Sequence, residues 1–197
     1  YLKKKIFDVG NGEIKINLEV LRNLQADVIK QLNQGLEKLF KKNQITFLNA
    51  EAKLLDKNKL LVKTKEGEKE LVFDELILAT GSRPRTIPGF DLDGKTILSS
   101  DDVWNIPNVP ERLLIVGSGP IGIEFARVFN ALGSKVTISE IQDQICPILD
   151  KEISENLSRS LKRRGIILKS KIASKLIEKK ENSVTIHFLS TEDQNKE

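Results

Sequence analysis

Six residues, Gly117-Ser118-Gly119-Pro120-Ile121-Gly122, stand between the apolar run Leu113-Leu114-Ile115-Val116 and a segment in which Ile121, Phe125, Val128, Phe129 and Leu132 recur at helical spacing. This arrangement constrains the fold more than any other part of the chain. It predicts a buried strand that turns directly into a helix from about Pro120 to Leu132, with Gly133 as the helix stop. A second strand follows from Lys135 to Ser139, completing a βαβ unit.

Such a turn aims the unpaired N–H groups and positive dipole end of the helix at whatever lies above the sheet edge, which favours an anion. Gly117 permits the tight turn, Gly119 lets a phosphate approach backbone without meeting a Cβ, and Gly122 lets the helix lie close on the strand. Ala126 extends that close contact, and Pro120 suits the first helical turn, where a missing N–H costs little. A G-x-G-x-x-G alone is common in loops. Here it follows a strand, opens a helix, and is followed about 20 residues later by an acid, Glu140, at the end of the second strand. Together these features point to a dinucleotide. A carboxylate at that tip accepts hydrogen bonds from ribose hydroxyls and repels a 2′-phosphate, and Ile141-Gln142-Asp143 supplies no arginine to offset the repulsion. NAD(H) is therefore expected in preference to NADP(H).

The rest of the chain reads as further α/β structure. Leu18, Leu21, Leu24, Val28, Leu32, Leu36, Leu39 and Phe40 predict one long amphipathic helix over 18–40, which the pattern ends at Asn43. Short strands are expected at Ile45–Leu48, Leu60–Val62 and Leu71–Phe73, the last two joined through a hairpin turn at 65–68. Glu75-Leu76-Ile77-Leu78-Ala79 reads as a buried strand running into Thr80-Gly81-Ser82. Prolines, glycines and polar residues between Pro84 and Pro110 suit a connection between two bodies, with the boundary expected near 98. Beyond the βαβ unit, an amphipathic helix is expected over 150–164 through Ile153, Leu157 and Leu161, with strands at 166–168 and 184–188.

Four stretches give the chain a resemblance to a known family: Ile77 to Pro84 as ILATGSRP with Ile87-Pro88-Gly89, Ile97 to Asp101 as ILSSD, Val109 to Glu124 as VPERLLIVGSGPIGIE, and Leu132 to Glu140 as LGSKVTISE. In content and order these resemble the flavoprotein pyridine nucleotide-disulfide oxidoreductases, most closely their dihydrolipoamide dehydrogenase branch. The resemblance implies an incomplete NAD-binding domain over 99–197 and part of an FAD-binding domain over 1–98, the latter holding the amphipathic helix and a β-meander. It implies an enzyme that oxidises dihydrolipoamide, presented on a carrier domain, through a cysteine pair and FAD to reduce NAD, and that works as a homodimer. Thr80, Gly81 and Ser82 then correspond to a segment that approaches FAD. Gly117, Ser118, Gly119, Pro120, Ile121, Gly122, Ile123 and Glu124 correspond to the NAD turn, Glu140 to the ribose-binding acid, and Ile172 to a hydrophobic residue on the adenine side. The family's C-x-x-x-x-C pair is absent from this sequence, as are a first glycine turn for FAD and a C-terminal His-Glu base. No catalytic residue is expected in this piece, and alone it is expected to be inactive. Other readings left open are another flavoprotein disulfide reductase of the mercuric or glutathione type, and a non-catalytic nucleotide-binding module.

Several residues have plain structural readings beside the functional ones. Cys146, the single cysteine, reads as a small packing residue, and His187 as a strand residue with no partners for a metal. Glu124 is either an ordinary first-turn carboxylate or a residue facing the nicotinamide. Thr80 and Ser82 either satisfy backbone groups at a strand end or meet the flavin. Lys3-Lys4-Lys5 and Lys162-Arg163-Arg164 read as solvated charge. With 32 basic and 28 acidic residues, dispersed lysines and few aromatics, the composition argues against nucleic-acid binding. No apolar run approaches the roughly 20 residues of a membrane span. A start at Tyr1 without a signal-like stretch suggests a cut piece of a longer protein, with cytoplasm or a mitochondrial matrix as the expected setting.

Overall fold

A computed structural model describes residues 7–10 and 13–192. The Lys3–Lys5 triplet lies outside the described residues. The chain divides into two compact units, one made of 19–83 and the other of 1–18 with 84–197.

In the larger unit the expected βαβ forms. Strand β6 (Arg112–Val116) leads into helix α2 (Pro120–Ala131) and then strand β7 (Lys135–Ser139). The two strands run parallel with Arg112 opposite Lys135 and Val116 opposite Ser139. Helix α3 (Lys151–Arg163) returns the chain to β8 (Ile167–Lys169), parallel to β7, so the sheet order is β6-β7-β8. Both helices end as their glycines dictate. Gly133 and Gly165 take φ of +100° and +82°, and the closing N–H groups of Ser134 and Ile166 reach back to Phe129 and Leu161 carbonyls. These are left-handed caps that satisfy the last orphan acceptors of each helix. The core sits between α2, β7 and the chain after β7: Ile123, Ala126 and Phe129 from the helix meet Val136, Ile138, Ile145, Cys146, Leu161 and Ile166.

An antiparallel pair follows, β9 (Ile172–Lys179) with β10 (Val184–Ser190), and a hairpin of β1 (Phe7–Gly10) with β2 (Glu13–Ile16) belongs to the same unit. The proline-rich stretch also belongs here, so the compact units part between 83 and 84. Asp93 explains the attachment. Its carboxylate accepts from the Lys95, Thr96 and Ile97 backbone N–H groups and the Thr96 hydroxyl, and it pairs with Lys179 of β9 at 2.7 Å. Burial pushes that carboxyl up, but the bonds from Lys179, Thr96, Ile97 and Lys95 outweigh it and hold it well below the usual carboxylate range.

The smaller unit holds helix α1 (Leu18–Lys42), which begins at the seam, and an antiparallel meander of β3 (Glu51–Asp56), β4 (Lys59–Thr64) and β5 (Gly67–Val72). Two expected strands do not form. At 45–48 the chain has no ladder: the Ile45 N–H bonds to the Phe40 carbonyl, closing the helix end, and the Phe47 ring stacks on Phe40 at 5.4 Å. At 75–79 the run is irregular and exposed, with Ile77 91% accessible. A strand apolar at consecutive positions is stable when neighbours flank it and both faces are covered, and no described strand pairs with this one. Strand β3 was not foreseen because its residues show no contrast between faces; all six are exposed.

In α3 the buried stripe is displaced from the expected one. Ile153 is exposed while Ser154 is buried, because the Ser154 hydroxyl donates to the Ile145 carbonyl. A hydrogen bond here selects the inward face over hydrophobicity.

Candidate functional site

The glycine turn occupies the C-terminal edge of β6. Gly117 adopts φ of +98°, and its N–H donates to the Ser139 carbonyl at 2.8 Å, tying the turn to the end of β7. Gly119 is the residue before α2, in extended conformation; no side chain caps the helix, and Pro120 fills the first position. A Cβ built on Gly119 meets nothing within 4 Å, whereas one on Gly122 lies 2.6 Å from the Gly117 carbonyl oxygen and 3.2 Å from Ile115 Cγ2. Gly122 is thus required for helix and strand to approach, and Gly119 leaves open space in front of the helix. The two glycines do different things.

Glu140 is the next residue after β7 and is buried, 7% exposed. One oxygen, Oε2, accepts from the Ser118 backbone N–H at 2.9 Å and the Ser118 hydroxyl at 2.7 Å; the other, Oε1, accepts from the Gln142 N–H at 3.0 Å. Burial raises this carboxyl, but the bonds from the Ser118 hydroxyl and the Gln142, Ser118 and Ile141 backbone more than compensate and leave it below its ordinary value. A buried carboxylate that stays ionised is therefore clamped to the glycine turn. Backbone bonds secure it on the far side: its N–H donates to the Lys169 carbonyl and its carbonyl accepts from the Ile172 N–H.

The structure brings Gly117, Ser118, Gly119, Pro120, Gly122 and Glu140 together. Ile172 joins them through its backbone. Ile121 is exposed on the first turn of α2, and Glu124 is exposed just past it. Ile123 is a core residue, and its N–H is spent on the Gly119 carbonyl, so nothing of it faces the open side of the turn. Thr80, Gly81 and Ser82 belong to the other unit, on exposed irregular chain with Gly81 at φ of +72°. Sequence reasoning did not anticipate Cys146 here. Its N–H donates to the Ser118 hydroxyl at 2.9 Å from a residue with φ of +53°. Backbone groups carry no residue signature, so no pattern announces this bond. The Cys146 thiol is buried, as its packing role predicts, and burial together with the Glu140 charge pushes its pKa up. His187 is exposed on β10, and among the described residues no cluster of His, Cys, Asp and Glu suits a metal ion.

A strand, a glycine turn, an uncapped helix and a clamped acid at the next strand tip form a site whose residues fit a dinucleotide. The family model of the pyridine nucleotide-disulphide oxidoreductases matches residues 3–197. The chain belongs to that family. Among curated members, dihydrolipoamide dehydrogenase of Chaetomium thermophilum is 37% identical over 161 residues, 81% of this chain and 32% of the relative. A dihydrolipoyl dehydrogenase of Bacillus subtilis is 36% identical over 155 residues, 79% of this chain and 34% of the relative. The chain thus spans about a third of the length of the curated relatives it matches. The mitochondrial dihydrolipoyl dehydrogenase of Pisum sativum is 33% identical over 84% of this chain. In structure, LpdA from Mycobacterium tuberculosis superposes with a TM-score of 0.78 over 88% of this chain and 39% of its own, at 22% identity, which speaks to fold. The HOCl-induced flavoprotein disulfide reductase RclA from Escherichia coli gives a TM-score of 0.69 over 87% of this chain and 39% of its own, at 25% identity. This oxidoreductase-family chain has a mixed α/β fold with a Rossmann-like βαβ unit, and among the described residues no helix is long and apolar enough to cross a membrane.

Proposed function

We propose that this chain is the NAD(H)-binding portion of an FAD-dependent dihydrolipoamide dehydrogenase, with 19–83 forming part of the FAD-binding domain and the larger unit carrying the NAD turn. The observation that carries the reading is the Glu140 carboxylate, buried, ionised and hydrogen-bonded to the glycine turn at the tip of β7. The uncapped start of α2 and the open space at Gly119 support a pyrophosphate there. Glu140 supports an unphosphorylated adenosine ribose, since a 2′-phosphate would meet a fixed negative charge. Bound NAD⁺ supplies a hydride acceptor. The chain's own residues bind and orient: the turn receives the phosphates, Glu140 selects the ribose, and the exposed carboxylate of Glu124 on α2 serves the nicotinamide side. In the whole enzyme the Thr80-Gly81-Ser82 segment approaches FAD, a cysteine pair elsewhere accepts electrons from dihydrolipoamide on a carrier domain, and the enzyme is a homodimer. The likeness to RclA supports a second reading, a flavoprotein disulfide reductase with another disulfide substrate.

The test is a fluorescence titration with NADH and with NADPH at equal ionic strength. Tighter NADH binding that reverses in Glu140→Arg, where a repelled 2′-phosphate becomes a paired one, is the expected result. Absence of binding to a folded chain, or an unchanged preference in the variant, overturns the assignment.

A further inference from the structure

We propose that Ser118 is a positioning residue for nucleotide selection: its hydroxyl, aimed by the Cys146 backbone N–H, holds the Glu140 carboxylate in the orientation that meets an unphosphorylated ribose. The inference rests on the reading of the glycine turn as an NAD(H) site and adds to it the device that sets its selectivity.

Ser118 is fully buried, at 0% exposure, so its side chain cannot itself touch a ligand and acts through another group. A hydroxyl has one proton to donate. The Cys146 N–H, 2.9 Å away, occupies an acceptor position on the Ser118 oxygen, which leaves the proton for Glu140 Oε2 at 2.7 Å. That bond is charge-assisted and short, and the Ser118 N–H adds a second to the same oxygen. Both donors come from one residue within the glycine turn itself. The acid is thereby fixed relative to the backbone that would receive the pyrophosphate, rather than relative to its own strand alone.

A free glutamate side chain loses rotamer freedom when it orders against a ligand, and fixing it beforehand removes that cost for the ribose. The same fixing makes discrimination sharper. A mobile carboxylate swings away from a 2′-phosphate, whereas a clamped one confronts it. Loss of the hydroxyl should therefore weaken NADH binding and relax the exclusion of NADPH together. A hydroxyl serving merely to staple the turn to the loop after β7, through Cys146, would affect both nucleotides equally.

The experiment titrates the full chain and its Ser118→Ala, Glu140→Gln and doubly substituted forms with NADH and NADPH, with folding checked by Trp104 fluorescence. Ser118→Ala is expected to lower the ratio of NADH to NADPH affinity about tenfold, the effect of one charge-assisted hydrogen bond. In the Glu140→Gln background the same substitution should leave the ratio unchanged, because the group it positions is gone. A native chain that binds neither nucleotide removes the underlying site and the proposal with it. A native chain that prefers NADH, with Ser118→Ala retaining that ratio or lowering both affinities equally, overturns the positioning role and leaves the NAD(H) reading standing. If Ser118→Ala does not fold, Ser118→Gly, which removes the hydroxyl without adding bulk, decides by the same ratio. Failure of both to fold makes the hydroxyl a determinant of folding and overturns the proposal.

Discussion

Replacing Gly122 with alanine should destabilise the larger unit, although alanine is the better helix former. Gly122 lies in the first turn of α2, where helix propensity alone favours alanine by about 1 kcal/mol. The added Cβ would stand 2.6 Å from the Gly117 carbonyl oxygen and 3.2 Å from Ile115 Cγ2. The side chain can adjust, but the carbonyl belongs to a residue whose N–H is held by Ser139, so the turn must move as a whole. Forced overpacking of this kind costs up to about 3 kcal/mol, leaving a net loss of about 2 kcal/mol. For a chain of this size that is roughly 4–8 °C in Tm. The single tryptophan, Trp104, packs on Phe125 of α2 with ring centroids 5.4 Å apart, so its fluorescence in a urea or thermal melt reports on the helix concerned. Gly119→Ala is the control. Its Cβ meets no atom within 4 Å, and the melt should shift by less than about 0.5 kcal/mol. A Gly122→Ala protein as stable as the native chain, or more so, would show that propensity outweighs the clash and that the close approach is not needed.

Further outcomes follow from the same structure. Because the folded pKa of Glu140 lies below its ordinary 4.5, the unfolded chain binds the extra proton first; its stabilisation is present above that value and is lost as pH falls toward the folded pKa. Denaturant melts of Glu140→Gln should accordingly lose less stability between about pH 5 and pH 3 than the native chain, and parallel losses would refute the clamp. Cys146 is buried with a raised pKa, so alkylation by iodoacetamide at neutral pH should be slow in the native state and rapid in urea; rapid native labelling would contradict its packing. Asp93→Ala should free the 84–98 segment from Lys179 and speed tryptic cleavage after Lys95, seen by mass spectrometry. Unchanged cleavage would place the anchor elsewhere.

The elements of the βαβ unit were legible because each is specified locally. Strand β6 is a short apolar run, Pro120 and Gly133 mark the helix ends, and apolar residues recur at helical spacing between them, although the inward stripe is Ile123, Ala126 and Phe129 while Ile121 and Val128 are exposed. Helix α1 was legible for the same reason, yet none of its residues is buried: periodicity reports that a face is apolar, not that something covers it. The run at 75–79 shows the limit from the other side. Its composition suits a covered strand, but a ladder needs a neighbour, and neighbours are not a property of five residues. Of the candidate site, the glycines and Glu140 were legible from spacing.

What the amino-acid order determined by itself was therefore the kind of each local element and the presence of a turn and an acid at the strand ends, since steric preference, apolar periodicity and glycine geometry act over a few residues. The tertiary structure alone decided that Glu140 is clamped by Ser118 and Gln142, that Cys146 steers the Ser118 hydroxyl from 28 positions away, and that Asp93 draws the proline-rich stretch to β9. These depend on where backbone N–H groups and single side-chain atoms arrive once the chain has packed. A hydrogen bond is decided within a few tenths of an ångström, a precision that no pattern of residue types encodes.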